Sequence, residues 1–384
     1  MKKFNIASLM LATALVLSAC GNTSDNEADN KEDTKVEESA ENKDEMATDN
    51  KDEMATDNKE EADKEEEKVE EVKPENAEQA EGNVILHRGY PKSEGARSFP
   101  RIVVATSGDK IVGLSIDEYQ YAGSDKGYKA TPNSDKGFGE GTAEGKMLIS
   151  KMDNEEQYSS EMKEAGSPTS LKETYEGISE FVKGKTIEEV ETFLKDNSED
   201  EIIEAVTGAT FKATPALINH VVTVARDDQF VSVGHAENLE DITFKAVTGA
   251  PNGEKSFADC VLAMEGDKII AASFDEFQYM EDSEGITNAE DDFTQGYADS
   301  NKALVSKLEN NDKYSSLMTE KAQSTVSIKD NFEAIEKFVS GKTAAEIEEA
   351  IAAKNEDGTI DSVTGATLKD TANYLQLIVD AANK

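Results

Sequence analysis

Apolar and polar residues alternate in two short runs near residue 100, which is typical of a half-buried β-hairpin. Ile102 and Val104 precede a Gly-Asp turn, and Val112, Leu114 and Ile116 continue the alternation after it. A period of two predicts that the last three side chains share one face of the second strand. The pattern therefore predicts a hairpin that covers a core on one side.

The apolar spacing then changes to that of amphipathic helices, after a loop rich in Gly and Asp near residues 133–141. Ser170 and Glu173 have the spacing of a capping box at the start of one helix. Further along, Thr214 is predicted to cap a last helix that has Pro215 in its first position. A hairpin followed by helices predicts the α+β class.

The whole pattern occurs twice, with an offset of 155 to 158 residues between matching positions. For example, residues 206–210 recur at 363–367. The duplication predicts two tandem homologous domains, residues 83–232 and residues 233–384. Each is long enough to bury a core of its own.

The first residues of the chain have the pattern of an export signal. Lys2 and Lys3 precede an apolar run that is too short to span a membrane. The run ends in Leu-Ser-Ala before Cys20, which resembles a bacterial lipobox. The resemblance implies a signal peptide over residues 1–19 and a diacylglycerol group on Cys20, which anchors the protein outside the cytoplasmic membrane. The alternative is an ordinary signal peptide followed by an unrelated cysteine.

Residues 20–82 are predicted to form a disordered acidic linker. From residue 21 onward this segment carries 25 acidic and 8 basic side chains, no aromatic residue, and two copies of the octapeptide Asn-Lys-Asp-Glu-Met-Ala-Thr-Asp. Such a composition cannot bury enough apolar surface to offset the entropy lost on ordering. The linker is expected either to extend the domains into the cell wall or to act only as a solubilising leader.

The charge and composition of the chain exclude several classes of function. With 81 acidic and 40 basic residues the net charge is −41, whereas a non-specific nucleic-acid binder needs a basic surface. Only three histidines are present, so no metal site is expected. Two cysteines cannot form a disulfide framework. One of them, Cys260, matches Ile102 in the repeat and is expected to be a buried apolar residue.

The main chemical signal is the tetrapeptide Thr-Gly-Ala-Thr, which precedes the last helix of each repeat. A Gly-Ala pair permits a tight turn and leaves the following threonine hydroxyl unobstructed. The start of the next helix favours a nearby phosphate anion. A third near-match, residues 247–251, ends in Pro251 and is interpreted as a linker turn because it has no terminal hydroxyl.

Both segments resemble the motif of the FMN-binding domain family, in which Asp and two variable residues precede Ser or Thr, Gly, Ala and Thr. The resemblance implies that a flavin transferase joins FMN to the last threonine, Thr210 or Thr367, so that each chain carries two covalent FMN groups. Glu204 stands where the family has Asp, and this departure concerns the modification of Thr210. The other predicted cofactor-binding residues are Thr207, Gly208 and Ala209 in the first repeat, and Asp361, Thr364, Gly365 and Ala366 in the second. Thr207 and Thr364 are expected to hold the turns.

Two tyrosines are further candidates for contact with the same cofactor. The alternation of the second hairpin strand changes face after Ile116, and Tyr121 then lies on the other side. Tyr121 and its counterpart Tyr279 are therefore candidates for stacking on the isoalloxazine ring. The alternative is ordinary packing between strands.

Lipobox, linker and paired domains together look most like extracellular electron-transfer lipoproteins of Gram-positive bacteria. The resemblance implies electrons from a membrane NADH dehydrogenase through the quinone pool, and extracellular acceptors such as ferric iron or soluble flavins. No pair of nucleophile and base suggests hydrolysis, so an electron carrier is expected rather than a stand-alone enzyme. The alternative is a surface binding or adhesion lipoprotein whose domains carry no flavin.

Overall fold

The fold is described for most of the chain beyond the predicted linker. The computed structural model describes residues 82–92, 97–138, 141–209, 211–287 and 292–384. Helices and strands are mixed throughout these residues, which confirms the α+β class. The predicted signal peptide, Cys20, the linker up to residue 81 and Thr210 lie outside the described residues. None of the described helices is long and apolar enough to cross a membrane.

The first repeat consists of four strands followed by five helices. In chain order they are β1 (Asn83–Gly89), β2 (Ser98–Ser107), β3 (Lys110–Gly123), β4 (Lys146–Ser150), α1 (Glu155–Glu164), α2 (Leu171–Val182), α3 (Ile187–Asp196), α4 (Glu199–Ala205) and α5 (Thr214–Ala225). At the start of α2, Ser170 and Glu173 form both hydrogen bonds of the predicted capping box.

The second repeat has the same order of elements, preceded by one additional strand, β5 (Val231–His235). Its own elements are β6 (Ile242–Gly249), β7 (Ser256–Glu265), β8 (Lys268–Glu281), β9 (Lys302–Ser306), α6 (Asn311–Ala322), α7 (Ile328–Val339), α8 (Ala344–Ala352) and α9 (Thr371–Asn383). Among the described residues of this repeat, α4 has no counterpart.

The strands form two antiparallel sheets, with the orders β4-β3-β2-β1-β5 and β6-β7-β8-β9. Helices of the first repeat cover the outer face of the first sheet, and helices of the second repeat cover the second. The inner faces of the two sheets pack on each other. The chain therefore forms four layers: helices, sheet, sheet and helices.

The predicted hairpin is present as β2 and β3, but the face predicted for one of its side chains, Val112, is wrong. Leu114 and Ile116 pack under the helices, whereas Val112 packs between the two sheets. A β-bulge shifts the register of the pair between Ala105 and Thr106. A bulge adds one residue to a strand and reverses the alternation beyond it, so Val112 leaves the face that the period of two predicts.

Each repeat has an apolar core under its own helices, and two further clusters are shared. The cluster under the second set of helices contains Cys260, which is fully buried as expected. The shared clusters lie between the sheets and take apolar side chains from both repeats. Both repeats belong to one compact unit. The predicted boundary after residue 232 falls within β5, which pairs with β1 of the first repeat.

Equivalent residues of the two repeats meet at the centre of the sheet interface. The hydroxyls of Tyr121 and Tyr279 hydrogen-bond to each other. Arg101 Nε lies 3.1 Å from the carboxylate of Asp259, which occupies the same position in the second repeat. Because each pair joins matching positions, an approximate twofold axis relates the repeats.

Candidate functional site

The Thr-Gly-Ala-Thr turn of the second repeat presents Thr367 to solvent just before α9. Gly365 has a φ of +100°, a region in which other residues are strained. The Ala366 N–H donates to the Val363 carbonyl at 3.2 Å and closes the turn. Val363 is buried, whereas Thr364 and Thr367 are exposed. The turn therefore has a buried anchor at one end and an exposed hydroxyl at the other.

A buried asparagine on α7 holds the end of this turn. The Asn331 side-chain oxygen accepts the Thr367 N–H at 2.6 Å and lies 3.4 Å from the Thr367 hydroxyl oxygen, which donates to it. Its amide nitrogen donates to the carbonyls of Ser327 and Val326, at 2.7 and 3.3 Å. Because both ends of the amide are bonded, the side chain fixes Thr367 relative to α7.

The last helix of each repeat begins at the threonine that was predicted to cap it. Thr371 is the first residue of α9, and its hydroxyl donates to the Leu368 carbonyl at 2.6 Å instead of capping the helix. Asp370 has the N-cap position without a side-chain cap bond, and burial raises its pKa. In the first repeat α5 likewise begins at Thr214, and Pro215 lies in its first turn.

Two other motif residues of the second repeat lie on the surface beside Thr367. Asp361 is exposed and accepts a hydrogen bond from the Asn355 side chain at 2.9 Å. The Thr364 side chain makes no hydrogen bond within the described part of the chain, so the turn is held by its backbone and by Asn331 instead. Asn331 thus holds the end of the turn, and the role of Thr364 in holding it stays a prediction.

The turn of the first repeat is built in the same way, although Thr210 itself lies outside the described residues. Gly208 has a φ of +86°, and the Ala209 N–H donates to the Val206 carbonyl at 3.0 Å. Ala209 is buried. Thr207 and Gly208 of this turn are exposed, and so is Glu204, which lies in the last turn of α4.

The two sites differ in the residue that faces the turn from the helix layer. Thr174 on α2 has the position of Asn331, but its hydroxyl donates to the Ser170 carbonyl of its own helix at 3.0 Å. At the start of the last helix, Ala213 in the first repeat replaces the acidic Asp370. The first site therefore has no counterpart of the Asn331 amide, which holds Thr367 in the second site. It also has no counterpart of the Asp370 carboxylate, which competes with an anion at the start of α9.

A buried ion pair lies beneath the start of α9. Lys307 Nζ is 2.6 Å from a Glu276 carboxylate oxygen, and both side chains are fully buried. Tyr374 of α9 donates its hydroxyl to the same carboxylate at 2.5 Å. Burial opposes the charge on Lys307, but Glu276 outweighs it and raises the pKa of Lys307. The first repeat has the corresponding pair, Lys151 and Glu118, at 2.5 Å. The bond from Tyr374 to Glu276 attaches α9 to its sheet.

The structure does not bring Tyr121 and Tyr279 to either turn. Both lie between the two sheets, where Tyr121 packs on Phe293 and Tyr279 on Phe138, with ring centroids 4.7 and 5.1 Å apart. The two turns lie among the helices on the outer faces of the sheets. The contacts of the tyrosines correspond to the packing alternative, and their stacking on isoalloxazine stays a prediction.

Sequence reasoning missed two residues that shape the turns, Asn331 and Gly177. A Cβ at Gly177 of α2 would lie 2.2 Å from the Thr207 carbonyl oxygen, so this glycine permits close approach of the turn. A glycine inside an amphipathic helix is a signal of such an approach. Asn331 gives a weaker signal, as a polar residue one position before the buried Phe332 of α7.

Comparison with known protein families, with curated proteins and with solved structures finds no match to this chain.

Proposed function

We propose that this chain is an extracellular electron-transfer flavoprotein with two tandem FMN-binding domains and covalent FMN on Thr210 and Thr367. The observation that carries the proposal is the exposed Thr367 hydroxyl, which ends a glycine turn and is held from behind by Asn331. A threonine buried in the core would not reach the active site of a transferase. The same turn geometry in the first repeat supports the second attachment.

The residues around Thr367 fit a phosphate ester of its hydroxyl. The Asn331 side-chain oxygen accepts the hydroxyl proton and so directs the oxygen lone pairs away from α7. At the start of α9 the Thr371 and Asn373 N–H groups donate to the Leu368 and Asp370 carbonyls, at 3.1 and 2.8 Å, so the preference for a nearby anion comes from the helix dipole. Bound FMN would supply transfer of one or two electrons. Protein residues on this turn position the attachment and take no part in the redox step.

The proposal also includes a lipid anchor on Cys20, electron supply from a membrane NADH dehydrogenase through the quinone pool, and acceptors such as ferric iron or soluble flavins. These parts rest on the resemblance of the sequence. A covalent link suits this location because a dissociated flavin would diffuse away from the cell surface.

Intact mass after coexpression with a flavin transferase tests the proposal. The wild-type chain is expected to gain two units of FMN less water. Thr367→Ala is expected to remove one unit and Thr210→Ala the other. A partial second unit that Glu204→Asp completes would assign the deficit to the departure from the family motif.

Ser362→Ala is the matched control, because it removes an exposed hydroxyl at a variable position of the same motif and is expected to leave the mass gain unchanged. A double Thr210→Ala, Thr367→Ala variant that still gains mass would place the attachment elsewhere. No gain in the wild-type chain with an active transferase would refute the proposal and favour a surface binding lipoprotein.

A further inference from the structure

The approximate twofold axis relates two spaces between the sheets. One of them is filled by Arg88 of β1 and by Tyr90, which directly follows that strand. The Arg88 guanidinium donates to the Ser273 hydroxyl and to the Asp259 carboxylate, each at 2.8 Å. The Tyr90 hydroxyl donates to the Asp275 carboxylate at 2.9 Å. Both side chains are buried. This space therefore accepts a planar charged group and a phenol side by side.

The equivalent space on the other side of the axis is open. Ala246 has the position of Arg88 and Thr248 that of Tyr90, so two large side chains are replaced by small ones. A cleft of about 570 Å³ remains between β3 and β6. Its apolar walls are formed by Ile116, Met152, Phe244 and Val247. This volume is large enough for a small molecule, and the four apolar side chains provide contacts for an aromatic ring within an otherwise charged lining.

The base of the open cleft combines a guanidinium with a carboxylate. Arg101 has the position there that Asp259 has in the filled space, with its side chain only 2% exposed, and Asp259 itself also lines the cleft. Its Nε contacts Asp259, and its Nη1 donates to the Ser115 hydroxyl at 2.7 Å. Its Nη2 makes no hydrogen bond within the described part of the chain, although it belongs to a residue that lines the cleft. A buried guanidinium with a free donor favours an anionic group.

Asp117, which also lines the cleft, has an acceptor position to spare. Among the side chains of the described residues, only the Ser150 hydroxyl donates to Asp117 Oδ2, at 2.5 Å. In the filled space, the same oxygen of Asp275 accepts two hydroxyls, from Ser306 and from Tyr90. The open cleft thus lacks the phenol donor that its counterpart contains.

We propose that this cleft binds a small hydroxylated aromatic carboxylate. The carboxylate would accept from Arg101 Nη2, the ring would lie between the apolar walls, and the hydroxyl would donate to Asp117. The filled space contains the same arrangement with the charges exchanged, because there a cation binds Asp259 and a phenol binds Asp275.

The proposed site is separate from both Thr-Gly-Ala-Thr turns. In the second repeat, Lys384 lines the cleft and follows the 13 residues of α9, which places it about 20 Å along the axis from the start of that helix. In the first repeat, Lys172 lines the cleft, while Gly177 and the Glu173 carbonyl contact the turn from another side of α2. The other charged residues that line the cleft are Lys245, Asp153, Glu155 and Asp259.

Titration calorimetry of the full chain with 4-hydroxybenzoate tests the proposal. One binding site is expected, and methyl resonances of Ile116, Met152 and Val247 are expected to shift on binding. Phenol, which lacks the carboxylate, is expected to bind at least about tenfold more weakly. Benzoate, which lacks the hydroxyl, is expected to bind several-fold more weakly, and inorganic phosphate not at all.

Two variants separate the site from the stability of the fold. Thr248→Tyr copies Tyr90 and refills the cleft, so it is expected to abolish binding while leaving Arg101 in place. Arg101→Lys keeps the charge but removes Nη2, and is expected to weaken binding by about tenfold. Thr223→Tyr, an exposed helix position outside the cleft, is the matched control for an added phenol.

The proposal would be overturned by any of three results. The first is no binding of 4-hydroxybenzoate at millimolar concentration. The second is equal binding of inorganic phosphate, which would indicate a general anion site. The third is unchanged binding by a folded Thr248→Tyr variant. All three are independent of flavin attachment, because neither threonine of the turns contributes to the cleft.

Discussion

At the scale of single residues, the least replaceable side chain near the turns is Asn331. It is fully buried, and an unbonded amide at that depth would cost more than its hydrogen bonds contribute. Its two donors satisfy carbonyls at the start of α7, which leaves the oxygen directed at Thr367. One side chain therefore joins the helix layer to the hydroxyl that the proposed modification uses.

Replacement of this asparagine tests whether it positions the hydroxyl. We expect Asn331→Ala to slow flavin attachment at Thr367 and to lower the free energy of unfolding by about 1–3 kcal/mol, because it leaves the Thr367 N–H without its partner, whereas the Ser327 and Val326 carbonyls each keep another donor. Peptide mass mapping over time, at a temperature where the variant is folded, measures the first effect. Thr174→Ala, at the equivalent position, should leave attachment at Thr367 unchanged. A folded Asn331→Ala variant modified at the wild-type rate would contradict this role.

A second buried residue predicts how stability depends on pH. Burial raises the pKa of Glu336 on α7 to about 8, although its side chain accepts the Phe274 N–H at 3.1 Å. The unfolded value is near 4.5, so the native state holds more protons between these values and stability falls as pH rises through them. Glu336→Gln retains the acceptor and cannot ionise.

We therefore expect the free energy of unfolding of Glu336→Gln to increase relative to that of wild type between about pH 5 and about pH 8. Urea unfolding at both pH values measures the difference. Glu349→Gln, at an exposed position of α8, is the control and should show no such trend. Equal pH slopes for wild type and Glu336→Gln would show that the carboxyl is solvated.

At the scale of elements, each Thr-Gly-Ala-Thr turn is shaped by the helix that packs against it. In the first repeat Gly177 of α2 makes room for the Thr207 carbonyl, while in the second Ala334 of α7 lies opposite Gly365. Both turns have glycine at the same position, Gly208 and Gly365, so only the facing helix residue differs between the repeats. The glycine inside α2 is the one local sign of this close approach.

The helix glycine provides a direct test of this packing. Gly177→Ala adds helix propensity of about 1 kcal/mol but places a Cβ 2.2 Å from the Thr207 carbonyl oxygen. We expect a net loss of about 1–3 kcal/mol in the free energy of unfolding, together with slower modification of Thr210. The reciprocal Ala334→Gly should lose only the helix propensity. A stabilised Gly177→Ala variant would show that the turn moves away at no cost.

At the scale of the whole molecule, the two repeats are held together by buried charge as well as by apolar packing. Asp259 of the second repeat accepts from Arg88 and lies beside Arg101, both of the first repeat. The Tyr119 hydroxyl donates to the same carboxylate at 2.6 Å. Removing one partner of a buried ion pair leaves an uncompensated charge, which typically costs about 3–5 kcal/mol. This is a large part of the free energy of unfolding of a typical domain.

Residues 83–232 expressed alone are therefore expected not to unfold cooperatively. The fragment would expose the inner face of its sheet and leave Arg88 and Arg101 without Asp259. Calorimetry and near-ultraviolet circular dichroism measure this, and addition of residues 233–384 should restore a cooperative transition. A sharp transition for the first fragment alone would show that each repeat folds independently despite the shared clusters.

Features that depend on neighbouring residues could be predicted from the sequence. The hairpin, the capping box at Ser170 and the glycine turn at Gly365 were predicted because each follows from local conformational preferences. The duplication and the burial of Cys260 could also be predicted, because they follow from comparing the chain with itself.

The faces that meet, and the space that remains open between them, depend instead on contacts between distant parts of the chain. The bulge beside Ala105 moved Val112 to the inner face, and Tyr121 and Tyr279 bonded to each other across the axis instead of standing near a turn. Arg88 filled one inter-sheet space, while Ala246 left the other open. These outcomes depend on contacts between residues about 158 positions apart, and no local preference encodes which of two similar sheets will supply the partner.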